Sequence, residues 1–268
     1  ADSDRLAAGP VGGDSMTSLV KKQRSGAVVT IVLNRPHRHN SLVPELLEEL
    51  KGSLDEVAGE PTVRAVVLAA EGRSFSTGGD VAGFFAASDL PGYAARTVGL
   101  LNEVMVTMLQ LEQPIVAAVN GMVTGGSLGL VLASDVVLVT PQVTFTPWYA
   151  VVGFSPDGGW TSLLPDLIGV KRTAALILQN RSNTATEALA WGIATEIAAA
   201  DEIEERAATI ALDIAEMSPG AVSSAKRLLG ADIAGIAARL EMERQAFVAQ
   251  GVSPEARKGM AAFLGRER

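Results

Sequence analysis

The sequence predicts an α/β protein whose core is built on mainly parallel strands. Two short apolar stretches, Val63–Ala69 and Ile115–Val119, are each predicted to form a strand that leads into a glycine turn and then a helix. A third apolar stretch at Val136–Val139 follows the second of these units. Strands that alternate with helices along a chain are typical of α/β cores, in which helices connect parallel strands.

The other elements follow from the spacing of apolar residues. A β-branched run at Ala27–Leu33 predicts a strand, which ends before Pro36 because proline cannot donate to a ladder. Apolar residues at helical spacing predict helices at Pro44–Val57, Tyr93–Leu111, Gly126–Ala133, Ala207–Met217, Ala221–Leu229 and Ile233–Val248.

The chain divides into three parts. Residues 1–15 are small and polar and precede Met16, so we expect a flexible leader or a remnant of expression cloning. Residues 16–205 carry the alternating elements and form the predicted core. Residues 206–268 form a predicted helical C-terminal region.

Composition limits the classes of function. The chain has 268 residues, 48% apolar and 19% charged, which is typical of a globular protein. A net charge of -8 argues against a nucleic-acid-binding surface, and the lack of cysteine excludes disulfides and thiolate chemistry. No apolar run approaches the roughly 20 residues that span a bilayer, and no secretory signal is visible. We therefore expect a cytoplasmic protein without nucleic-acid or membrane partners.

Asp157 is the most conspicuous candidate for chemistry. Between Gln113 and Pro165 the chain has only two charged residues, Asp135 and Asp157. A carboxylate in apolar surroundings has a raised pKa and can carry a proton or act as a nucleophile. The alternative is that Asp157, which lies in a glycine-rich turn, caps the helix that follows. Asp135 precedes a strand and is predicted to be structural.

Two glycine turns are candidates for binding a negatively charged oxygen. Gly79 lies in Thr77-Gly78-Gly79-Asp80, and Gly126 lies in a second turn that opens a helix. Backbone N–H groups that no side chain screens can stabilise a developing oxyanion. The alternatives are a plain turn at Gly79 and close helix–strand packing at Gly126.

The segment Arg35–Asn40 contains both histidines of the chain, His37 and His39. A metal site is not expected there, because neither an acid nor a third histidine accompanies the pair. A solvated basic turn is the simplest interpretation, and such a turn could contact a phosphate-bearing ligand. The aromatic residues, at 4% of the chain, argue mildly against a pocket specific for an aryl group.

Together these segments resemble the crotonase superfamily, the enoyl-CoA hydratase/isomerase family. The resemblance extends from about Thr17 to the C-terminus. It is carried by five segments in order: Leu33–Leu42, Phe75–Asp80, Pro114–Gly126, Ala190–Ile193 and Lys258–Phe263.

The resemblance implies a crotonase-like spiral of ββα units with a C-terminal helical trimerisation region, and hence a homotrimer or a hexamer formed as a dimer of trimers. It implies an acyl-CoA thioester as the ligand, so that coenzyme A enters as part of the substrate and no metal or redox cofactor is needed. The thioester oxygen would lie on the N–H groups of Gly79 and Gly126. The residues implied to contact the substrate or coenzyme A are Arg38, Ser41, Thr77, Gly78, Asp80 and Tyr149.

The sequence departs from the family where hydratases carry two glutamates. The matching positions are Gly129 and Tyr149, neither of which can act as a carboxylate at neutral pH. Asp157 instead matches the single catalytic acid of the family's Δ3,Δ2-enoyl-CoA isomerases, and its segment is similar to the phenylacetate-pathway isomerase. The same position holds the nucleophilic aspartate of 4-chlorobenzoyl-CoA dehalogenase, whose assisting histidine and tryptophan would correspond to Tyr93 and Tyr149.

The main functional hypothesis is therefore an enoyl-CoA double-bond isomerase in which Asp157, Gly79 and Gly126 are the catalytic groups. A dehalogenase-like enzyme with a nucleophilic Asp157 is one alternative, and hydratase-like chemistry is another. A catalytically weak acyl-CoA-binding protein is a third.

Overall fold

The computed structural model describes residues 18–230 and 232–266, so the predicted leader lies outside the described residues. The strands are β1 Val20–Ser25, β2 Val28–Leu33, β3 Ala65–Ala70, β4 Ser74–Ser76, β5 Ile115–Val119, β6 Met122–Thr124, β7 Val136–Val139, β8 Thr144–Thr146, β9 Asn183–Thr184 and β10 Glu196–Ile197. The α-helices are α1 Pro44–Ala58, α2 Val81–Ala86, α3 Leu90–Gln110, α4 Leu128–Leu132, α5 Tyr149–Val152, α6 Leu164–Ile168, α7 Val170–Leu178, α8 Ala185–Trp191, α9 Ile203–Glu216, α10 Pro219–Leu229, α11 Ile233–Gly251 and α12 Pro254–Phe263.

The strands form two sheets. The larger sheet has the order β1-β2-β3-β5-β7-β10, in which β1 is antiparallel to β2 and the other neighbours are parallel. The smaller sheet has the order β4-β6-β8-β9, with β4, β6 and β8 parallel. The strands β3 and β5 are buried along their whole length, as expected for parallel strands covered on both faces.

One structural unit recurs along the core. Each of β3, β5 and β7 belongs to the large sheet and is followed after a short turn by β4, β6 or β8 of the small sheet. A helix then follows each small-sheet strand: α2, α4 and α5 respectively. This succession of ββα units confirms the predicted mixed α/β fold of the crotonase type.

The C-terminal helices differ in what they cover. Helix α9 packs on the outer face of the large sheet, where Ala207 and Ala211 join a second apolar cluster with Val67 and Val116. Helix α11 packs along α3, and α12 packs on α2 and α5. The last two helices therefore reach the segments that follow the small sheet.

Within residues 18–230 and 232–266, no helix is both long enough and apolar enough to cross a bilayer.

Candidate active site

A cavity of about 780 Å³ lies beside the small sheet. All the site residues predicted from the sequence line it, namely Arg38, Ser41, Thr77, Gly78, Gly79, Asp80, Gly126, Tyr149 and Asp157. The structure thus brings together residues that are more than 100 positions apart in the chain. Their individual roles stay predictions.

The pairing of the small sheet explains why the two glycine turns meet. Strands β4 and β6 are parallel neighbours, with Ser74 opposite Met122 and Ser76 opposite Val123. Parallel neighbours end at the same edge of a sheet, so the turns that follow them are adjacent. The third parallel strand, β8, ends at the same edge and leads to Tyr149.

The glycine turns present two unused backbone donors. Among the described residues, neither Gly79 nor Gly126 donates its N–H to a protein acceptor. The neighbours of Gly79 are fixed, since Leu42 donates to Gly78 O over 2.7 Å and Asp80 donates to Leu42 O over 3.0 Å. The turn is therefore held while the Gly79 N–H stays available to a ligand.

The Cα of Gly126 lies directly beside the carboxyl group of Asp157. A Cβ at position 126 would lie 2.8 Å from Asp157 Oδ2 and 2.9 Å from Leu101 Cδ2. Glycine is thus needed there for close approach. The carboxyl group of Asp157 therefore lies beside the glycine whose N–H is a candidate oxyanion donor.

Asp157 is buried, with 6% of its surface exposed. Its Oδ1 accepts a hydrogen bond from the Tyr149 hydroxyl at 2.6 Å. Burial raises the pKa of Asp157 to about 7, the Tyr149 hydrogen bond acts in the opposite direction, and the negative charge of Glu243 raises it further. A carboxyl group with a pKa near neutrality can both accept and return a proton.

The Tyr149 hydroxyl lies within hydrogen-bonding distance of two oxygens of Asp157. It is 2.6 Å from Oδ1 and 2.9 Å from the backbone carbonyl oxygen. A hydroxyl has one proton to donate and can also accept. It can donate to ionised Oδ1, or accept from protonated Oδ1 while donating to the carbonyl. Tyr149 can therefore support Asp157 in both protonation states.

The other end of the cavity is basic and exposed. His37, Arg38, His39 and Arg73 line it, although the chain has a net charge of -8. The positive charges of Arg38 and Arg73 at this end favour an anionic ligand.

Asp80 ties this basic loop to the glycine turn Thr77–Asp80. Its carboxylate accepts from Arg35 Nη2 at 3.0 Å and Arg38 Nη2 at 3.1 Å, and it caps α2 through two N–H groups. Burial acts to raise the pKa of Asp80, but the hydrogen bond and charge of Arg35 and the charge of Arg38 outweigh it and leave the pKa lowered. Arg35 also donates to Ser41 Oγ over 2.6 Å. Asp80 and Ser41 thus hold the loop in place, and Arg38 keeps an exposed side chain.

Gly129, which matches the first of the two hydratase glutamates, is surrounded by core residues. A Cβ at Gly129 would collide with Met105 Sδ and would lie 3.0 Å from the carbonyl oxygen of Gly158. Met105 is fully buried. A glutamate at position 129 would therefore require the core to move.

The aromatic residues near the site separate into two groups. Trp148 and Tyr149 line the cavity. Trp160 is fully buried and donates its Nε1–H to Gly125 O over 2.8 Å. Tyr93 packs edge-on against Phe84 with ring centroids 5.4 Å apart.

Sequence reasoning missed Glu243 and did not settle whether Asp157 is a helix cap. Glu243 accepts from Gly159 N at 2.9 Å and from Thr161 N at 2.7 Å. Glu243, rather than the Asp157 side chain, therefore accepts these two N–H groups of the turn. The signal was present, because Glu243 lies on the apolar stripe of its helix, between Leu240 and Phe247.

Comparison with known proteins identifies the family. The profile of the Enoyl-CoA hydratase/isomerase family matches residues 23–268. 4-Chlorobenzoyl coenzyme A dehalogenase-2 of Arthrobacter sp. is 30% identical over 198 residues, covering 73% of this chain and 72% of the relative. 1,2-Epoxyphenylacetyl-CoA isomerase of Escherichia coli strain K12 is 27% identical over 242 residues, 89% of this chain and 92% of the relative. The crystal structure of an enoyl-CoA hydratase from Bacillus halodurans matches with a TM-score of 0.85 at 25% identity, covering 91% of this chain and all of that chain.

The fold and the site define an acyl-CoA enzyme of the crotonase superfamily. This chain belongs to the enoyl-CoA hydratase/isomerase family. The names of its relatives include a hydratase, an isomerase and a dehalogenase. Membership of the family therefore does not specify the reaction, which depends on the side chains of the site.

Proposed function

We propose that this chain is an enoyl-CoA double-bond isomerase in which Asp157 carries the proton. The observation that supports it most directly is a buried carboxyl group, with a pKa of about 7, beside Gly126 in the cavity. Among the described residues that line the cavity, the only other acid is Asp80, whose carboxylate is held by two arginines. One carboxyl group is sufficient for an isomerase, because the same group removes and returns the proton.

The reaction would proceed in two steps. Asp157 removes a proton from C2 of a 3-enoyl thioester, and the electrons move into the thioester carbonyl to give a dienolate. The N–H groups of Gly79 and Gly126 stabilise the negative oxygen, and a donor of this kind contributes roughly 3–4 kcal/mol to the transition state. Protonated Asp157 then returns the proton at C4, which leaves a 2-enoyl thioester and regenerates the carboxylate.

We propose that the Tyr149 hydroxyl stays hydrogen-bonded to Asp157 in both steps of the reaction. Its hydroxyl donates to the carboxylate before proton removal and accepts from the carboxylic acid afterwards, as its distances of 2.6 and 2.9 Å allow. Burial and the negative charge of Asp157 raise the pKa of Tyr149 well above its ordinary value, so the phenol keeps its proton. Tyr149 therefore positions Asp157 rather than exchanging a proton with the substrate.

The basic mouth is proposed to hold the coenzyme A part of the substrate. Arg38 has a side chain that is 46% exposed while it contacts Asp80. The contact with Asp80 holds the Arg38 side chain in place, and its exposed guanidinium group can bind the phosphate oxygens of a ligand. We expect coenzyme A to enter as part of the thioester substrate and not as a separate cofactor.

The decisive experiment compares wild type with Asp157→Asn. Purified protein is mixed with a 3-enoyl-CoA, and the 2-enoyl-CoA product is measured by chromatography. We expect turnover to fall by about 10²-fold or more, with the Kd of an acyl-CoA by calorimetry little changed. Asp55→Asn is the matched control, since Asp55 is exposed and, among the described residues, its carboxylate pairs with Lys51 alone. Undiminished turnover in Asp157→Asn would refute the proposal, as would a 3-hydroxyacyl-CoA product from wild type.

A nucleophilic Asp157 acting on an aryl-CoA is the second candidate. The chain has twelve aromatic residues, and six of them line the cavity: Phe84, Trp148, Tyr149, Phe154, Phe247 and Phe263. The low aromatic content thus argued too strongly against an aryl group, because the few aromatic side chains are concentrated at one place. Against this candidate, the position implied for the assisting histidine holds Tyr93, which packs on Phe84.

Mass spectrometry distinguishes the candidates. An aryl ester on Asp157 formed during turnover of a 4-halobenzoyl-CoA would favour the nucleophile. Binding of 2-enoyl, 3-enoyl and aryl thioesters without turnover of any would favour a catalytically weak binding protein.

We also propose a homotrimer, or a hexamer formed from two trimers. Several large apolar side chains on α10 and α11 are exposed in the single chain, with Leu228 73%, Leu229 90% and Met242 68% exposed. Such side chains are commonly covered at interfaces between subunits. Light scattering after size-exclusion chromatography tests this assembly, and a monomer at micromolar concentration would contradict it.

A further inference from the structure

The turn that carries Asp157 depends on a side chain from a distant helix. Gly158 and Gly159 have φ angles of 61° and 86°, and Gly159 and Thr161 point their N–H groups into the protein. Glu243 of α11 accepts from Gly159 N, from Thr161 N and from Thr161 Oγ1 at 2.7–2.9 Å. One carboxylate thus binds three donors of this turn.

Burying the carboxylate of Glu243 costs free energy, which other interactions have to offset. It is 4% exposed and lies on the same helix face as Leu240 and Phe247, which are also buried. A buried carboxylate costs several kcal/mol unless hydrogen bonds compensate it. The three hydrogen bonds from the Asp157 turn supply that compensation. Glu243 and the turn therefore stabilise each other.

The carboxyl group of Asp157 is left free by this arrangement. An aspartate that begins a turn usually accepts N–H groups two or three residues later. Here the Gly159 N–H donates to Glu243 and the Trp160 N–H donates to the Asp157 carbonyl oxygen, while the Asp157 carboxyl group accepts from Tyr149 and lies beside Gly126. Glu243 thus binds N–H groups of the turn, and the carboxyl group of Asp157 is left for the proposed catalytic role.

We propose that Glu243 is a positioning residue for Asp157, which binds the N–H groups of the turn and thereby leaves the Asp157 carboxyl group facing Gly126. The inference deepens the proposed function, since it rests on Asp157 as the proton carrier. Glu243 is given no contact with the substrate.

The charge of Glu243 has a second effect. A like charge nearby disfavours ionisation of a carboxyl group. The ionisable groups that act on Asp157 are the Tyr149 hydroxyl from α5, which lowers its pKa, and Glu243 from α11, which raises it. On the side of α3, the neighbour at Gly126 is the apolar Leu101. Glu243 therefore contributes to the raised pKa of Asp157 along with burial.

The experiment compares Glu243→Gln with the control Glu241→Gln. Glu241 lies on the same helix and forms an exposed pair with Arg244. Protein labelled with ¹³C at aspartate carboxyl carbons is titrated by NMR without substrate, and Asp157→Asn identifies the signal. We expect the pKa of Asp157 to fall by about one unit in Glu243→Gln and to stay unchanged in Glu241→Gln. An unchanged pKa in Glu243→Gln would overturn the inference.

A charge-retaining variant separates position from charge. Glu243→Asp keeps the charge but shortens the reach, so the pKa of Asp157 should stay raised while kcat for a 3-enoyl-CoA falls with little change in KM. It also serves if Glu243→Gln does not fold. An unchanged kcat in Glu243→Asp would show that the position of Glu243 is not important.

The titration needs no turnover, so the two proposals can fail separately. If wild type does not isomerise any 3-enoyl-CoA while the pKa of Asp157 still falls in Glu243→Gln, the proposed reaction is wrong and the coupling of Glu243 to Asp157 stands. If isomerisation is observed and the pKa does not move, the coupling is wrong and the reaction stands.

Discussion

Replacing Asp157 by asparagine should stabilise the folded protein at neutral and alkaline pH. The pKa of Asp157 is about 7 in the folded protein, against 3.8 for an ordinary aspartate. Because the folded state holds this proton more tightly, the free energy of unfolding falls as pH rises from about 3.8 to about 7. Each pH unit between these values corresponds to about 1.36 kcal/mol, so ionised Asp157 lowers stability by about 4 kcal/mol above pH 7. Asparagine has no such ionisation.

The assay is chemical denaturation of wild type and Asp157→Asn at a series of pH values between 4.5 and 8.5. The difference in the free energy of unfolding should be small at the acid end and should grow to several kcal/mol in favour of the variant at the alkaline end. Asp55→Asn, at an exposed position, should show no such growth. A constant difference between Asp157→Asn and wild type across this range would refute the raised pKa of Asp157.

Three further changes test other parts of the site. Tyr149→Phe removes a hydrogen bond that lowers the pKa of Asp157, so the acid limb of the pH–rate profile should move to higher pH; a move to lower pH would contradict this role. Gly129→Ala places a Cβ against Met105 Sδ and should lower the free energy of unfolding by about 1–3 kcal/mol, measured by urea denaturation; no loss would mean that the core yields easily. Arg38→Ala should weaken binding of an acyl-CoA by about tenfold at low salt and less at high salt, measured by calorimetry; an equal loss at both salt concentrations would argue against a phosphate contact.

The sequence was most informative where strands are buried on both faces. Ile115–Val119 and Val136–Val139 are predicted with the bounds that the structure shows, because continuous apolar runs between breakers are distinctive. The strand Val20–Ser25 was missed. Five of its six residues are exposed, so its strand conformation comes from antiparallel pairing with β2 at the sheet edge and leaves no apolar alternation in the sequence.

The individual site residues could be predicted from the sequence, but their adjacency in the fold could not. The glycine turns and Asp157 could be recognised as local features. Their adjacency depends on the pairing of β4 with β6, strands of three residues each, which are too short to show a periodic pattern. Glu243 was hidden for another reason: a single acid in a helix is ordinarily taken as solvated, and only its place on the buried stripe marks it.

Gly129 and Asp157 are linked through the backbone as well as through chemistry. A Cβ at position 129 would lie 3.0 Å from the carbonyl oxygen of Gly158, and a Cβ at Gly158 would collide with the backbone of Gly126. The turn that carries Asp157 thus packs directly on the segment that carries the proposed oxyanion donor, and it does so where side chains are absent. A glutamate at position 129, as the family's hydratases have, would displace Met105 or this turn. The glycines at positions 126, 129 and 158 therefore belong to a single packing arrangement, which holds the turn of Asp157 against the segment of Gly126.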